Sequence, residues 1–302
     1  MSWRIKIFFK DSWYLVKTSA IEFINDNGLK LSASLSYYTI FSLPPLLLII
    51  ISSCGIFFGE DAVAGRIYYQ INGLLGNVVA MQIQEMIKSI KFSGDNHIAI
   101  YLGVIILIIG ASGVFAEIQE SINYIWGLQA KPKKGLIKFI KNRIISFSMI
   151  GVFSFLFLVS LIINSLMDVL NKVFTIRFDY FITKLYYIGN LSILYISITI
   201  LFLIIFRTMP DGKVALKDGL IGASFTALFF MAGKFAIGAY LGNSNIASAY
   251  GAAGSVIVIL GWIYYSAIIL YFGAEFTKVY AYTFGKKIIP KEYSVKINKE
   301  NR

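Results

Sequence analysis

The chain is short of the residues that carry most polar chemistry. Its 302 residues include one histidine, His97, and one cysteine, Cys54. A zinc centre takes three or four protein ligands, largely His and Cys, so a typical His/Cys zinc site is excluded. A single cysteine also excludes a disulfide within the chain and says nothing about redox compartment. There is no Gly-x-Ser-x-Gly elbow, no Gly-x4-Gly-Lys-Ser/Thr phosphate loop and no dinucleotide fingerprint in its proper setting. These absences point away from an enzyme, and no cofactor or metal is expected. Charge is scarce as well. Only 15% of residues are charged, against about 25% in an average soluble protein.

What replaces charge is apolar sequence in long runs. Hydrophobic residues make up 57% of the chain, and the mean hydropathy is +0.71. Charge-free stretches run over Leu31–Gly59, Asn96–Ala116, Ile144–Met167, Leu185–Phe206, Gly219–Gly233 and Phe235–Ala274. A helix needs about 20 apolar residues to cross a hydrocarbon core ~30 Å thick. The first four runs are each long enough for one crossing. The last two, separated only by Lys234, would together make a helix about 80 Å long at ~1.5 Å per residue, so the chain must turn between them. The Gly/Ser/Asn/Ala-rich stretch 242–255 is the place, because such residues favour turns.

The expected fold is therefore all-α: a polytopic membrane bundle of about six helices, spanning roughly 35–58, 97–118, 144–167, 185–206, 219–241 and 254–276. These spans form a domain over 31–283, between a cytoplasmic N-terminal segment, 1–30, and a basic cytoplasmic tail, 284–302. The tail is expected to be partly disordered. Lys and Arg set the orientation. One side of the expected bundle collects 21 of them and the other side six, with Lys234 inside a span. Both termini are thus expected in the cytoplasm. The same distribution accounts for the net charge of +12 through orientation and contact with anionic lipid headgroups, so no nucleic-acid partner is expected. Met-Ser-Trp-Arg-Ile-Lys at the start offers no small-residue cleavage site, and the first span is expected to act as the insertion signal.

Two segments outside the spans have helical periodicity. In 13–25, Trp13, Val16, Ala20, Phe23 and Ile24 share a face, which predicts an amphipathic helix at the cytoplasmic membrane surface, ended by Asn27-Gly28 and read foremost as an interfacial lead-in to the first span. The first outer loop, about 60–95, has an imperfect stripe of Ile67, Ile71, Leu74, Leu75, Val78, Gln82, Met86 and Ile90. It predicts one or two short helices capping the bundle.

Candidate functional residues are those that break the apolar pattern. Pro44 and Pro45 lie inside the first span, where missing N–H groups and ring clashes predict a kink or break. Glu117, Lys234 and Glu275 place charge near or within the spans, at a cost of at least ~2.5–3.5 kcal/mol each unless paired or wetted. The glutamates can pair with Arg207, Lys213 or Lys278, and Lys234 can snorkel to the interface or receive an anionic group such as a lipid phosphate. Gly238-x3-Gly242 has the small-residue spacing of close helix packing. Tyr250, Gly251 and Gly254 lie in the glycine-rich turn before the last span, which either packs or lines a pathway.

Several blocks resemble the YihY/BrkB family of multi-pass inner-membrane proteins. They are Ser34–Pro45 with Gly55–Gly59, Gly110–Glu120 with Asn123 and Ile125-Trp126-Gly127, Arg207-x2-Pro210-Asp211, Gly233-Lys234, Gly238-x-Tyr240-Leu241-Gly242, Ser248–Ser255 and Phe272–Thr277. They run in order from about 30 to 282. The resemblance implies a bacterial inner-membrane protein of about six helices. Members have been labelled ribonuclease BN, a tRNA-processing enzyme, or virulence and serum-resistance factors, and have been proposed to move lipids. A single histidine does not fit a zinc-dependent ribonuclease. The expected function is a transporter or flippase-like protein for lipids or another envelope component, with a non-catalytic envelope scaffold as the alternative. Membrane lipids are the expected partners, beside envelope proteins or a second copy of the chain.

Overall fold

A computed structural model describes residues 2–58, 65, 68–69, 72, 77–90, 113–130, 180–243 and 254–297. The fold is mostly helical. Helices α1 (Ser2–Asn25), α2 (Gly28–Phe58) and α3 (Asn77–Ile90) are followed by a helical segment, α4, over 113–125. Next come α5 (Tyr180–Thr208), α6 (Leu216–Asn243) and α7 (Gly254–Thr283). Among the described residues three helices are long and apolar enough to cross a membrane: Ile188–Thr208, Leu216–Tyr240 and Val256–Thr283. They fall on the expected fourth, fifth and sixth spans. Most of the expected second and third spans lies outside the described residues.

The all-α expectation needs one correction. Four short strands form two antiparallel pairs at the end of the bundle where α4, α5 and α7 finish. Strand β1 (Leu128–Ala130) pairs with β4 (Ser294–Lys296), Leu128 opposite Lys296; β2 (Gly212–Lys213) pairs with β3 (Ile289–Pro290). In the basic tail, expected to be partly disordered, residues 289–290 and 294–296 are therefore paired into strands. Their backbone donors and acceptors find partners on the two interhelical connections, and composition alone carries no sign of that pairing.

Helix α7 is the hub, packing against α1, α2, α3 and α6, while α5 packs on α6. The α6–α7 contact is close, because small residues let backbones approach where apolar burial gives no driving force. Thr277 fills the space where a Cβ on Gly222 would sit, and Thr226 does the same at Gly273. Both threonine hydroxyls turn back to their own helix: Thr226 Oγ1 donates to Gly222 O and Thr277 Oγ1 to Gly273 O, each at 2.7 Å. Tyr265 lies over Gly233. Gly238, by contrast, faces open space. The surroundings of Gly242, the other half of the Gly238-x3-Gly242 spacing, lie outside the described residues.

Helix α1 stops as expected: Asn27 takes a left-handed φ of 55°, a conformation Asn tolerates better than most residues. Its apolar residues divide between a buried and an exposed face. Leu15, Ser19, Phe23 and Asp26 are buried, whereas Trp13 is 70% and Ile24 69% exposed, with Tyr14 and Ile21 also outward. Periodicity identified an apolar face but could not tell a face turned to protein from one turned to lipid. Helix α2 runs through Pro44-Pro45 as one helical element, so of the expected kink or break the structure has no break. The nearby hydroxyls of Thr39 and Ser42 donate to Leu35 O and Thr39 O, not to the Ile40 and Phe41 carbonyls that the prolines leave without i+4 donors. In α3 the buried face is Val79, Ala80 and Ile83, rotated from the expected stripe.

Candidate functional site: a buried ionic cluster beside a polar latch

Among the described residues, the buried charged side chains, Asp26, Asp211, Asp218, Glu275 and Lys278, gather at the end that carries the strands. Glu275 lies on α7 with no exposed surface, and Lys278, one turn on, is 9% exposed. The Lys278 ammonium sits 2.6 Å from Glu275 Oε2, 3.1 Å from Asp26 Oδ2 and 3.5 Å from Glu22 Oε2. It also donates to Ile125 O at 2.8 Å. Four oxygens from α1, α4 and α7 thus surround one nitrogen. The Glu275 contact is an ion pair without hydrogen-bond alignment: neither of its carboxylate oxygens has a hydrogen-bond partner among the described residues. Glu22, Asp26 and Glu275 bring their oxygens within 4.8 Å of one another. Acidic oxygens so close could hold a metal ion, but the Lys278 ammonium already provides the cation between them.

Local sequence explains how α1 reaches this point. With about 3.6 residues per turn, Ser19, Glu22, Phe23 and Asp26 share the side that meets α7, and Phe23 packs edge-on against Phe272 at 6.0 Å. The helix therefore turns its acids into the protein and its Trp13 and Ile24 outward. Trp126, 2% exposed, ties α4 to the same part of α7 by donating Nε1–H to Ala274 O at 3.0 Å.

A second polar knot adjoins it. Asp211, fully buried after α5, accepts from Gln119 Nε2 at 2.9 Å and Asn123 Nδ2 at 3.0 Å. Its own N–H donates to Asn123 Oδ1 at 2.7 Å, so Asn123 is gripped at both ends of its amide. The Asp211 carbonyl accepts from the Ser294 hydroxyl at 2.7 Å and the Lys291 N–H at 2.8 Å. Lys291 Nζ donates to Pro210 O at 2.6 Å. At the foot of α6, Asp218 accepts from the Lys286 N–H at 2.8 Å. The connection after α5, helix α4 and the segment after α7 are latched together by these bonds.

The candidate residues do not converge. Glu275 is in the ionic cluster and Asn123 in the adjoining latch. Glu117 is half-buried on α4 and accepts from the Ser121 hydroxyl at 3.3 Å. Lys234 lies elsewhere, half-buried, with its ammonium 5.8 Å from the Phe235 ring. Since Gly233 meets Tyr265, Lys234 is level with a part of α7 about 15 Å from Glu275 along the axis, at ~1.5 Å per residue. Among the described residues no cavity holds Glu117, Lys234 and Glu275 together. Gly254 is buried at the start of α7; Tyr250 and Gly251 lie outside the described residues, as do the side chains of Pro44 and Pro45.

Sequence reading missed Glu22, Asp26 and Asp211 as site residues, and met Lys278 only as a partner for a glutamate. Asp211 was within reach as a lone acid between two basic residues in Arg207-x2-Pro210-Asp211-Gly212-Lys213. Asp26, some 250 positions from Lys278, had no local signal.

Similarity to known proteins agrees with this architecture. A family model described as "Virulence factor BrkB" matches residues 20–295. Proteins named UPF0761 membrane protein are similar over most of the chain. That of Saccharophagus degradans is 25% identical over 261 residues, covering 86% of this chain and 58% of its own length. That of Alkalilimnicola ehrlichii is 26% identical over 273 residues, covering 87% and 57%. In Aeromonas salmonicida the relative is 24% identical over 252 residues and 80% of each chain is covered. The chain thus spans less than two thirds of the length of the first two relatives. No solved structure matches. With the family model covering the helices, the ionic cluster and the latch alike, the chain belongs to the BrkB family of bacterial membrane proteins.

Proposed function

We propose that this protein is a non-enzymatic transporter or flippase-like protein that moves lipids or another envelope component across the bacterial inner membrane, through six crossings with both termini cytoplasmic. The observation that carries this reading is the ionic cluster. Charge inside a lipid-solvated bundle is costly and is characteristic of substrate or ion pathways. Here Glu275 is wholly buried and Lys278 nearly so, and two of the cluster's carboxylates come from a helix whose other face is apolar and exposed. Helix α1 is joined to α2 through the single left-handed turn at Asn27. Undocking it would break the Glu22 and Asp26 contacts to Lys278 and the apolar packing of Leu15, Val16 and Phe23, which opens the end of the bundle to a polar headgroup.

The latch around Asp211 favours a second reading, a scaffold that organises envelope proteins. Its strands and hydrogen bonds make a braced platform with Arg207, Lys213, Lys217, Lys286 and Lys287 exposed. Lipid analysis of both membranes after depletion separates the two. Transport predicts redistribution of at least one lipid class, restored by the wild-type gene and not by a Lys278→Met variant of equal abundance. Unchanged lipid distribution in depleted cells would remove the transport reading.

A further inference from the structure

At the other end of α7 a cavity of about 240 Å³ opens between α2, α3 and α7. Val79 and Ile83 of α3 form one wall, Leu43 of α2 another, and Ile259, Trp262 and Ile263 of α7 the third. Its two hydroxyl residues, Thr39 and Ser266, donate to carbonyls of their own helices, Leu35 O at 2.7 Å and Trp262 O at 2.9 Å. No accessible polar surface lines it. From Trp262 to Lys278 is about 24 Å along α7 at ~1.5 Å per residue, most of the ~30 Å thickness of a hydrocarbon core. The cavity and the ionic cluster therefore lie near opposite faces of the membrane.

We propose that this cavity is a binding site for one acyl chain of a membrane lipid. Water needs two to four polar partners to occupy a cavity, and here both hydroxyl protons are already given to backbone carbonyls and the accessible wall is apolar. The α7 wall belongs to a helix long and apolar enough to cross the membrane, so the surrounding solvent is hydrocarbon and its tails are the groups at hand. The size also fits. A dry apolar cavity of ~150 Å³ accepts benzene, with six carbons; the same ratio gives the present cavity room for roughly nine or ten carbons. That is the length of about half a long acyl chain, so the rest of the lipid would project past α3.

The physical gain is packing rather than hydrophobic transfer. A tail moving from bilayer to cavity leaves one apolar medium for another, but an empty cavity leaves its walls without dispersion partners. Helix α3 covers the site: Val79, Ala80 and Ile83 face in, while Met81 and Glu85 face out. The inference names acyl-chain lipids as the substrate class of the transport reading and rests on that reading only for the word substrate. Binding is measured without transport, so the two can fail separately.

The test uses the full chain in phosphatidylethanolamine vesicles carrying a trace of the same lipid with a photoreactive group in its tail. Light-induced labelling is expected on the peptides holding 79–83 and 259–266. Ile83→Phe fills the cavity and should lower that labelling several-fold, whereas Met81→Phe, on the outer side of the same helix, should leave it unchanged. Ile259→Phe repeats the test from α7 if the first variant does not fold. Labelling unchanged in the filled variants, or spread evenly over Met81, Tyr240 and other exposed positions as annular lipid only, would overturn the site.

Discussion

Replacing Lys278 by methionine keeps the length of the side chain and removes its charge. In the folded protein, Glu22, Asp26 and Glu275 would then face one another within 4.8 Å without the ammonium between them, and Ile125 O would lose its donor. Removing one partner of a buried ion pair costs about 3–5 kcal/mol, because the remaining charge is left uncompensated. At roughly 2–4 °C per kcal/mol for a chain of a few hundred residues, the unfolding midpoint should fall by about 10 °C. Glu275→Gln should behave differently. Lys278 keeps Asp26 at 3.1 Å and Glu22 at 3.5 Å, and a buried carboxylate with no aligned hydrogen bond disappears; the expected change is within about 1 kcal/mol. The double variant Lys278→Met/Glu275→Met should recover only part of the single lysine variant's loss: the buried Glu275 charge is gone, but Asp26 and Glu22 still lack their cation. Thermal unfolding of the detergent-solubilised protein, followed by tryptophan fluorescence, reads all three. Equal losses for Lys278→Met and Glu275→Gln would refute the arrangement of several acids around one shared cation.

Three further outcomes are expected from the latch, the helix packing and the orientation. Asp211→Ala deprives Gln119 and Asn123 of their acceptor and should cost about 2–3 kcal/mol, with faster proteolysis within 286–297 as the local sign. Gly222→Val should destabilise strongly because Thr277 occupies the space; Thr277→Ala should partly rescue it, and Gly238→Ala, facing open space, should change stability by less than about 0.5 kcal/mol. In a Cys54→Ser background, single cysteines placed at Ser2 and at Asn301 should both react with a membrane-impermeant maleimide only after the inner membrane is opened, as the expected orientation requires.

Much of the fold was legible because the bilayer imposes a length rule. The expected spans at 185–206, 219–241 and 254–276 sit within α5, α6 and α7, since uninterrupted apolar runs leave few other choices. Side-chain partnership was less legible. Periodicity grouped Trp13 with Phe23, yet in the structure Phe23 packs on α7 and Trp13 points outward, because an apolar face reads the same whether protein or lipid covers it. Glu275 stood out as a charge within an apolar run, and Lys278 beside it could be guessed. Asp26 could not, because its meeting with Lys278 depends on the turn at Asn27 bringing α1 back along α7. The strand pairing of 289–296 had no more signal: two- and three-residue strands carry no alternation to detect.

Lipid movement with the ionic cluster taking part is the proposed activity. Its most direct test is the transfer of a headgroup-labelled phosphatidylethanolamine between leaflets of liposomes holding the purified protein, with and without ion gradients. The account predicts faster transfer than in protein-free liposomes, and a loss of that acceleration in Lys278→Met that is still correctly inserted. Transfer no faster than in protein-free liposomes under every gradient would contradict it.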